Sequence, residues 1–280
     1  MTIPMGIVYD LPFAEYLAID AAHATSLIHY WKDSPKHGRH HDEHRHETSA
    51  MADGKAFHAA TVEPDRFARE FAPKPEGMKF STKEGKAWQA EQLAAGRAII
   101  EHPAAVLGMR DAVLADEYAR SYLDRPGNAE VSLFWTDERT GLACKARFDY
   151  LCVDETNVGL KSSLSLDPRW FKGDATKRGY MLQWALYEDA AKACGLTPPE
   201  IIEICVENTP PHDVTVYRVR GRALAKGHAD ARWALALYAE AERTGLYPGR
   251  TSGVVDFEPP EWADNGDEAV NTEGLEVDDE

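Results

Sequence analysis

The sequence predicts an α/β (α+β) protein, a mixed central β-sheet flanked by helices, and three observations carry that prediction. First, residues 142–153 are β-rich, Asp154-Glu155-Thr156-Asn157 is turn chemistry, and 158–163 reads as a short return strand, so 142–163 is a hairpin. Second, 180–193 is helical with Gly195 as its stop, and the apolar strand 201–206 follows. Third, 222–244 is a long amphipathic helix closed by Gly245.

The remaining elements follow in order. Residues 1–10 are expected to form a short leader. Residues 13–31 suit one helix or a pair, ending near Ser34-Pro35 because proline disfavours helical backbone before it. Residues 37–46 hold five histidines. A metal site and a solvated polar insertion are the rival readings; the second is adopted, since nothing local fixes the imidazole geometry. Residues 51–62 are helical and include His58. The Ala- and Glu-rich run 83–120 predicts two helices broken near His102-Pro103. Residues 129–136 alternate as a strand with Glu130 near its start. After the hairpin, 167–178 is expected as a basic loop, with Lys172, Lys177 and Arg178 close together. Strands 201–206 and 214–219 are joined through Pro210-Pro211-His212-Asp213. One domain is expected over 1–262, with an acidic, disordered tail at 263–280.

Composition narrows the function. The chain has 280 residues, 44% hydrophobic and 28% charged, enough for a sizeable core without cross-links. Its four cysteines show no paired spacing and read as reduced, buried thiols of a cytoplasmic protein rather than zinc ligands. No run approaches about 18 consecutive apolar residues, so no membrane contact is expected, and no secretory signal is evident. The net charge of −16 opposes nucleic-acid binding, but eleven carboxylates and no Lys or Arg fall in 251–280. Contact with DNA would therefore rest on local basic patches or on bound metal.

The hairpin is where chemistry concentrates. Asp149 lies on its first strand and Lys161 on its second, and position 159 shares a face with Lys161 because side chains repeat every second residue. Folding about the turn brings Asp149 nearly opposite position 159. Farther on, Gln183 and Tyr187 stand at i and i+4 and project from one helix face. A hydrogen-bonded structural pair and a place beside the hairpin are the two readings, and the second is adopted.

Arg147-Phe148-Asp149, with Gly159-Leu160-Lys161 on the next strand, resembles the signature of the PD-(D/E)XK nucleases. Gln183-Trp184-Ala185-Leu186-Tyr187 resembles the Q-x-x-x-Y helix of their RecB-like branch, and Gly54-Lys55-Ala56-Phe57-His58 its upstream metal histidine. The pattern, over roughly residues 10–262, is most similar to the RecE (exonuclease VIII) type of phages and prophages. This resemblance implies a Mg²⁺- or Mn²⁺-dependent exonuclease acting on linear double-stranded DNA, in the bacterial host's cytoplasm, as a homo-oligomer. It would produce single-strand tails for a RecT-like annealing partner. It further implies that Asp149, His58 and the Leu160 backbone carbonyl hold the metal. Lys161 would then act on the attacking water and the developing charge, Gln183 and Tyr187 would position the strand, and Glu130 would assist as an upstream acid.

One position departs from the pattern. Residue 159 is glycine where the family carries a metal-binding carboxylate. An engineered exchange, a natural loss leaving a catalytically silent DNA-end-binding protein, and replacement by Glu130, Asp154 or Glu155 all stay open.

Overall fold

In the computed structural model the structure describes residues 3–44, 48–197 and 200–260. The expected tail at 263–280 lies outside the described residues, as do residues 45–46 of the histidine-rich run.

The chain opens with a strand, β1 (Gly6–Val8), then helices α1 (Phe13–Ala18), α2 (Ala24–Lys32), α3 (Pro35–Glu43), α4 (Ser49–Val62) and α5 (Pro64–Glu70). A small excursion follows through β2 (Phe71–Pro73), α6 (Lys83–Ala94) and β3 (Ala98–Ile100), with β2 and β3 paired in parallel. Helices α7 (Pro103–Ala115) and α8 (Glu117–Leu123) lead into strands β4 (Gly127–Thr136), β5 (Ala143–Cys152) and β6 (Asn157–Ser163). Helices α9 (Pro168–Arg178) and α10 (Tyr180–Ala193), strands β7 (Ile201–Glu207) and β8 (Val214–Val219), and helix α11 (Arg222–Thr244) complete the described elements.

The main sheet has the order β1-β4-β5-β6-β7-β8. Every neighbouring pair is antiparallel except β6 and β7. A parallel pair needs a crossover, and α9 with α10 supplies it. Two cores fill the two faces. One joins Leu133, Ala146, Phe148 and Leu151 to Leu27 of α2, Leu182 and Leu186 of α10, and Leu235 of α11. The other joins Val158, Leu160, Ile202 and Ile204 to Phe57 of α4, Val106 and Met109 of α7, and Tyr122 of α8. This is the mixed, helix-flanked sheet that the sequence predicts.

Four expectations need correction. Residues 6–8 are not a leader; they pair with β4 at the sheet edge, Gly6 opposite Phe134. The histidine-rich run has regular structure where it is described: 35–43 is helix α3, its N-terminus capped by Ser34, whose hydroxyl accepts from the His37 N–H, with Pro35 in the first turn. Its Gly38 packs so tightly on the Tyr30 ring that a Cβ there would collide with it. Residues 168–178 form helix α9 rather than a loop, because the Asp167 carboxylate caps the N–H groups of Arg169 and Trp170. The run 83–120 holds three helices rather than two, α6, α7 and the start of α8, with the short strand β3 between α6 and α7.

The four cysteines are free thiols; burial raises those of Cys144 and Cys152 to about 12 and about 11. No helix among the described residues is long and apolar enough to cross a membrane. Lys145 is 1% exposed, and its ammonium donates to the carbonyls of Tyr16 and Ile19, fastening α1 onto β5.

Candidate metal centre

The site forms where the hairpin stops being a regular ladder. β5 and β6 pair only at Tyr150–Val158 and Leu151–Asn157. One step farther, where the register would set Asp149 opposite Gly159, the Leu160 N–H donates at 2.8 Å to the Asp149 carboxylate instead. The alternation of β5 also slips here. Cys144, Ala146, Phe148 and Leu151 face one core, while Tyr150 and Cys152 face the other. On the other side of β5, the register of β4 sets Ala129 opposite Tyr150 and Val131 opposite Phe148. Glu130 therefore stands across from Asp149, in a left-handed conformation at φ +53° that only a small fraction of non-glycine residues adopt. Strained backbone of this kind concentrates at functional sites.

Helix α4 completes the cluster. Thr48 caps it, Ala56, Phe57, Ala59 and Ala60 bury its inner face, and His58 is carried to Asp149 with Nδ1 3.5 Å from Oδ1. Among the described residues, His58, Glu130 and Asp149 each offer a ligand atom, all within 4.8 Å of one another. Arg147 holds Glu130, pairing with it through Nε while its NH1 group donates to the Leu11 carbonyl and Ser132 Oγ. A cavity of about 240 Å³ opens on His58, Glu130, Asp149, Gln183 and Tyr187. The helical pair is hydrogen-bonded, Gln183 Nε2 donating to Tyr187 Oη at 2.8 Å, and the Tyr187 ring lies 5.0 Å from that of Phe148.

The electrostatics are those of a crowded acidic site. Burial pushes the Asp149 carboxyl up, but His58, Lys161 and the Leu160 N–H outweigh it and hold Asp149 far below the usual carboxylate range. Burial and the Asp149 charge raise Glu130 against the pull of Arg147. His58 is raised, because Asp149 outweighs the burial that opposes its charged form. Lys161 is raised as well: burial is overcome by Glu203 first and by Asp149 next.

Glu203 is the residue that sequence reasoning missed. It is 2% exposed on β7, directly opposite Gly159, with Oε1 3.5 Å from Lys161 Nζ and Oε2 accepting from the Trp184 indole N–H of α10. Its signal in the sequence was an acid inside the otherwise apolar run Ile-Ile-Glu-Ile-Cys-Val.

The structure thus brings together His58, Glu130, Asp149, Gln183 and Tyr187 on one cavity, with Lys161 beside Asp149 and Glu203. Leu160, expected there through its carbonyl, also stands at the site, where its N–H donates to Asp149. Asp154 and Glu155 are elsewhere, engaged with Arg125 and the Thr197 N–H. An imidazole and two carboxylates crowded at one point form a donor set suited to a divalent cation. The cluster fits that group.

A crystal structure of a candidate exonuclease from Eubacterium rectale is similar in fold, with a TM-score of 0.59 at 12% identity, covering 93% of this chain and 100% of that one. A second structure, that of SSO0001, is 12% identical over 74% of this chain and 91% of that chain, but its TM-score of 0.31 carries no argument. No curated protein matches the chain. Residues 24–258 match the model of a family described as a PDDEXK-like domain of unknown function (DUF3799), and the chain, with its nuclease-type fold and its parted hairpin, belongs to that family.

Proposed function

We propose that the protein is a divalent-metal-dependent DNA nuclease of the RecE type, digesting linear duplex DNA from its ends in the 5′→3′ direction. The observation that carries this reading is the convergence of His58, Glu130 and Asp149 at the point where β5 and β6 part, with Lys161 on the neighbouring strand. Mg²⁺ or Mn²⁺ held by His58, Asp149 and Glu130 would polarise the phosphate and make hydroxide available at neutral pH.

The protein's own groups divide the remaining work. Lys161, held above its ordinary pKa, stays an ammonium and is suited to stabilising the charge that builds on the phosphate rather than to taking a proton. Tyr187 is raised by burial first and by the Asp149 charge next, so it stays a phenol. It accepts from Gln183 and keeps its own proton for another acceptor, such as a phosphate oxygen. Lys172 and Lys177 are exposed on α9, which runs directly into α10, and offer cationic surface to a strand leaving the site. Single-strand tails for a RecT-like annealing protein, a bacterial cytoplasmic setting in a phage or prophage system, and assembly into a homo-oligomer belong to the same reading.

Digestion of linear duplexes labelled at either 5′ or 3′ ends, beside a closed circle, in Mg²⁺, Mn²⁺ and EDTA, tests it. Early release of the 5′ label from linear DNA alone, abolished by EDTA, is expected. Gly159 favours a second reading, a silent DNA-end-binding protein on the same fold, because it gives the motif no side-chain ligand at that position. End binding without digestion in either metal would establish that reading instead.

A further inference from the structure

The register of β6 and β7 sets Gly159 opposite Glu203 and Lys161 opposite Cys205. A Cβ placed on Gly159 would lie 2.9 Å from both Cδ and Oε2 of Glu203, and closer still to Oε1. Real Cβ atoms essentially never approach a neighbour that closely. The space beside Gly159 is therefore already occupied, and what occupies it is a carboxylate. Any side chain at 159 and the observed Glu203 conformer exclude each other.

That carboxylate is held as a ligand would be. Glu203 sits among Ile201, Ile202, Ile204 and Cys205, all at most 2% exposed, where an ionised acid is costly unless a cation answers it. Oε2 is fixed by the Trp184 indole N–H, while Oε1 is buried and accepts no hydrogen bond among the described residues, with only Lys161 Nζ at 3.5 Å. One oxygen oriented by an N–H donor, and the other holding only a long ion pair with Lys161, is a support that metal-binding carboxylates commonly have. By register Asp149 lies across β6 from Glu203, on the far side of Gly159; the ligand atoms gathered within 4.8 Å of one another are those of His58, Glu130 and Asp149, and Glu203 would join them by turning Oε1 toward that cluster.

We propose that Glu203, reaching from β7 across the bare Cα of Gly159, supplies the acidic metal ligand that position 159 lacks. This rests on the metal-dependent reading above. Glycine at 159 is then the condition for the site rather than its defect. The Gly159→Asp exchange, which restores the motif on paper, drives a second carboxylate into the first.

The rival explanation is that Glu203 only neutralises Lys161, and a cycle of variants separates the two. Mn²⁺ binding is measured by calorimetry on the full chain and on Glu203→Gln, Lys161→Met, the double variant Glu203→Gln/Lys161→Met, Gly159→Asp, and the swap Gly159→Asp/Glu203→Val. Thermal unfolding of each is followed alongside. Gln keeps an acceptor for Trp184, so Glu203→Gln is expected to fold and to bind Mn²⁺ about 10–100-fold more weakly. The Glu203→Gln/Lys161→Met protein should remain as weak. Gly159→Asp alone should lower the melting temperature without gaining affinity, and the swap should recover affinity to within a few fold of the starting protein. Unchanged binding by Glu203→Gln overturns the proposal, and so does recovery of full affinity when Lys161 is removed with Glu203. If the starting protein binds no Mn²⁺ at all, the metal-dependent function fails and this assignment falls with it.

Discussion

Asp149 accepts the backbone N–H of Leu160 at 2.8 Å and so stands in the ladder where a β5 carbonyl would otherwise be. A side chain that closes a sheet hydrogen bond and turns its other oxygen to His58, with Glu130 beside it, ties the local fold to the chemistry.

Asp149→Asn and Asp149→Ala should therefore separate. The Asn oxygen can still accept from Leu160, so this variant is expected to unfold near the starting protein in urea. The Ala variant leaves a half-buried N–H without its acceptor, at a cost of about 1–3 kcal/mol. Both, together with Lys161→Ala, should lose at least about 100-fold in digestion rate, as expected when a metal ligand or a transition-state charge is removed. Digestion of linear duplex at the original rate by Asp149→Asn and Lys161→Ala would mean that the site is elsewhere.

Tyr187 allows a finer cut. Its ring packs on Phe148, so Tyr187→Phe keeps that contact and removes only the hydroxyl that accepts from Gln183. Digestion should slow by roughly 10-fold or more, while Mn²⁺ affinity stays within about two-fold, since one hydrogen bond to a charged group contributes about 1.5–3 kcal/mol. A matching fall in metal affinity would place the phenol among the ligands instead.

Much of this architecture was legible because its signals are local. The turn at 154–157 and the alternation on either side of it set the hairpin, and the hairpin register alone brings Asp149 beside Gly159. The i, i+4 spacing likewise brings Gln183 to Tyr187. Glu203 was not legible in that way. Its partnership with Gly159 is made by a parallel pairing across two helices, and no local spacing encodes such a register. The polar composition of α3 and α9 concealed helices whose starts were nevertheless written in Ser34-Pro35 and Asp167-Pro168, a capping side chain followed by proline in the first turn. Strand β1, three residues long at the sheet edge, carries too short a pattern for periodicity to reveal it.

The joint between α10 and α11 makes the last prediction. Glu188 of α10 is bound by His228 of α11 at 2.6 Å and by Lys192 one turn along at 3.0 Å, with side-chain exposures of 15%, 22% and 45%. Burial pushes the Glu188 carboxyl up, but the hydrogen bonds from His228 and Lys192 outweigh it, and the folded-state pKa lies below the ordinary value. A depressed carboxylate pKa means that the unfolded chain takes up this proton first as pH falls. The stabilisation is thus complete above the unfolded value of about 4.3 and is lost as pH drops through the folded value. Glu188→Gln keeps the size of the side chain and removes its charge. At pH 7 it should lower stability by about 0.5–1.5 kcal/mol, the range for a partly buried ion pair with one exposed partner. Urea unfolding at a series of pH values measures this directly: the gap between the two proteins should be fully open from about pH 5 upward and close as the medium becomes more acid than about pH 4. A gap that stays constant down to that range would show that the glutamate acts through packing and not through its charge.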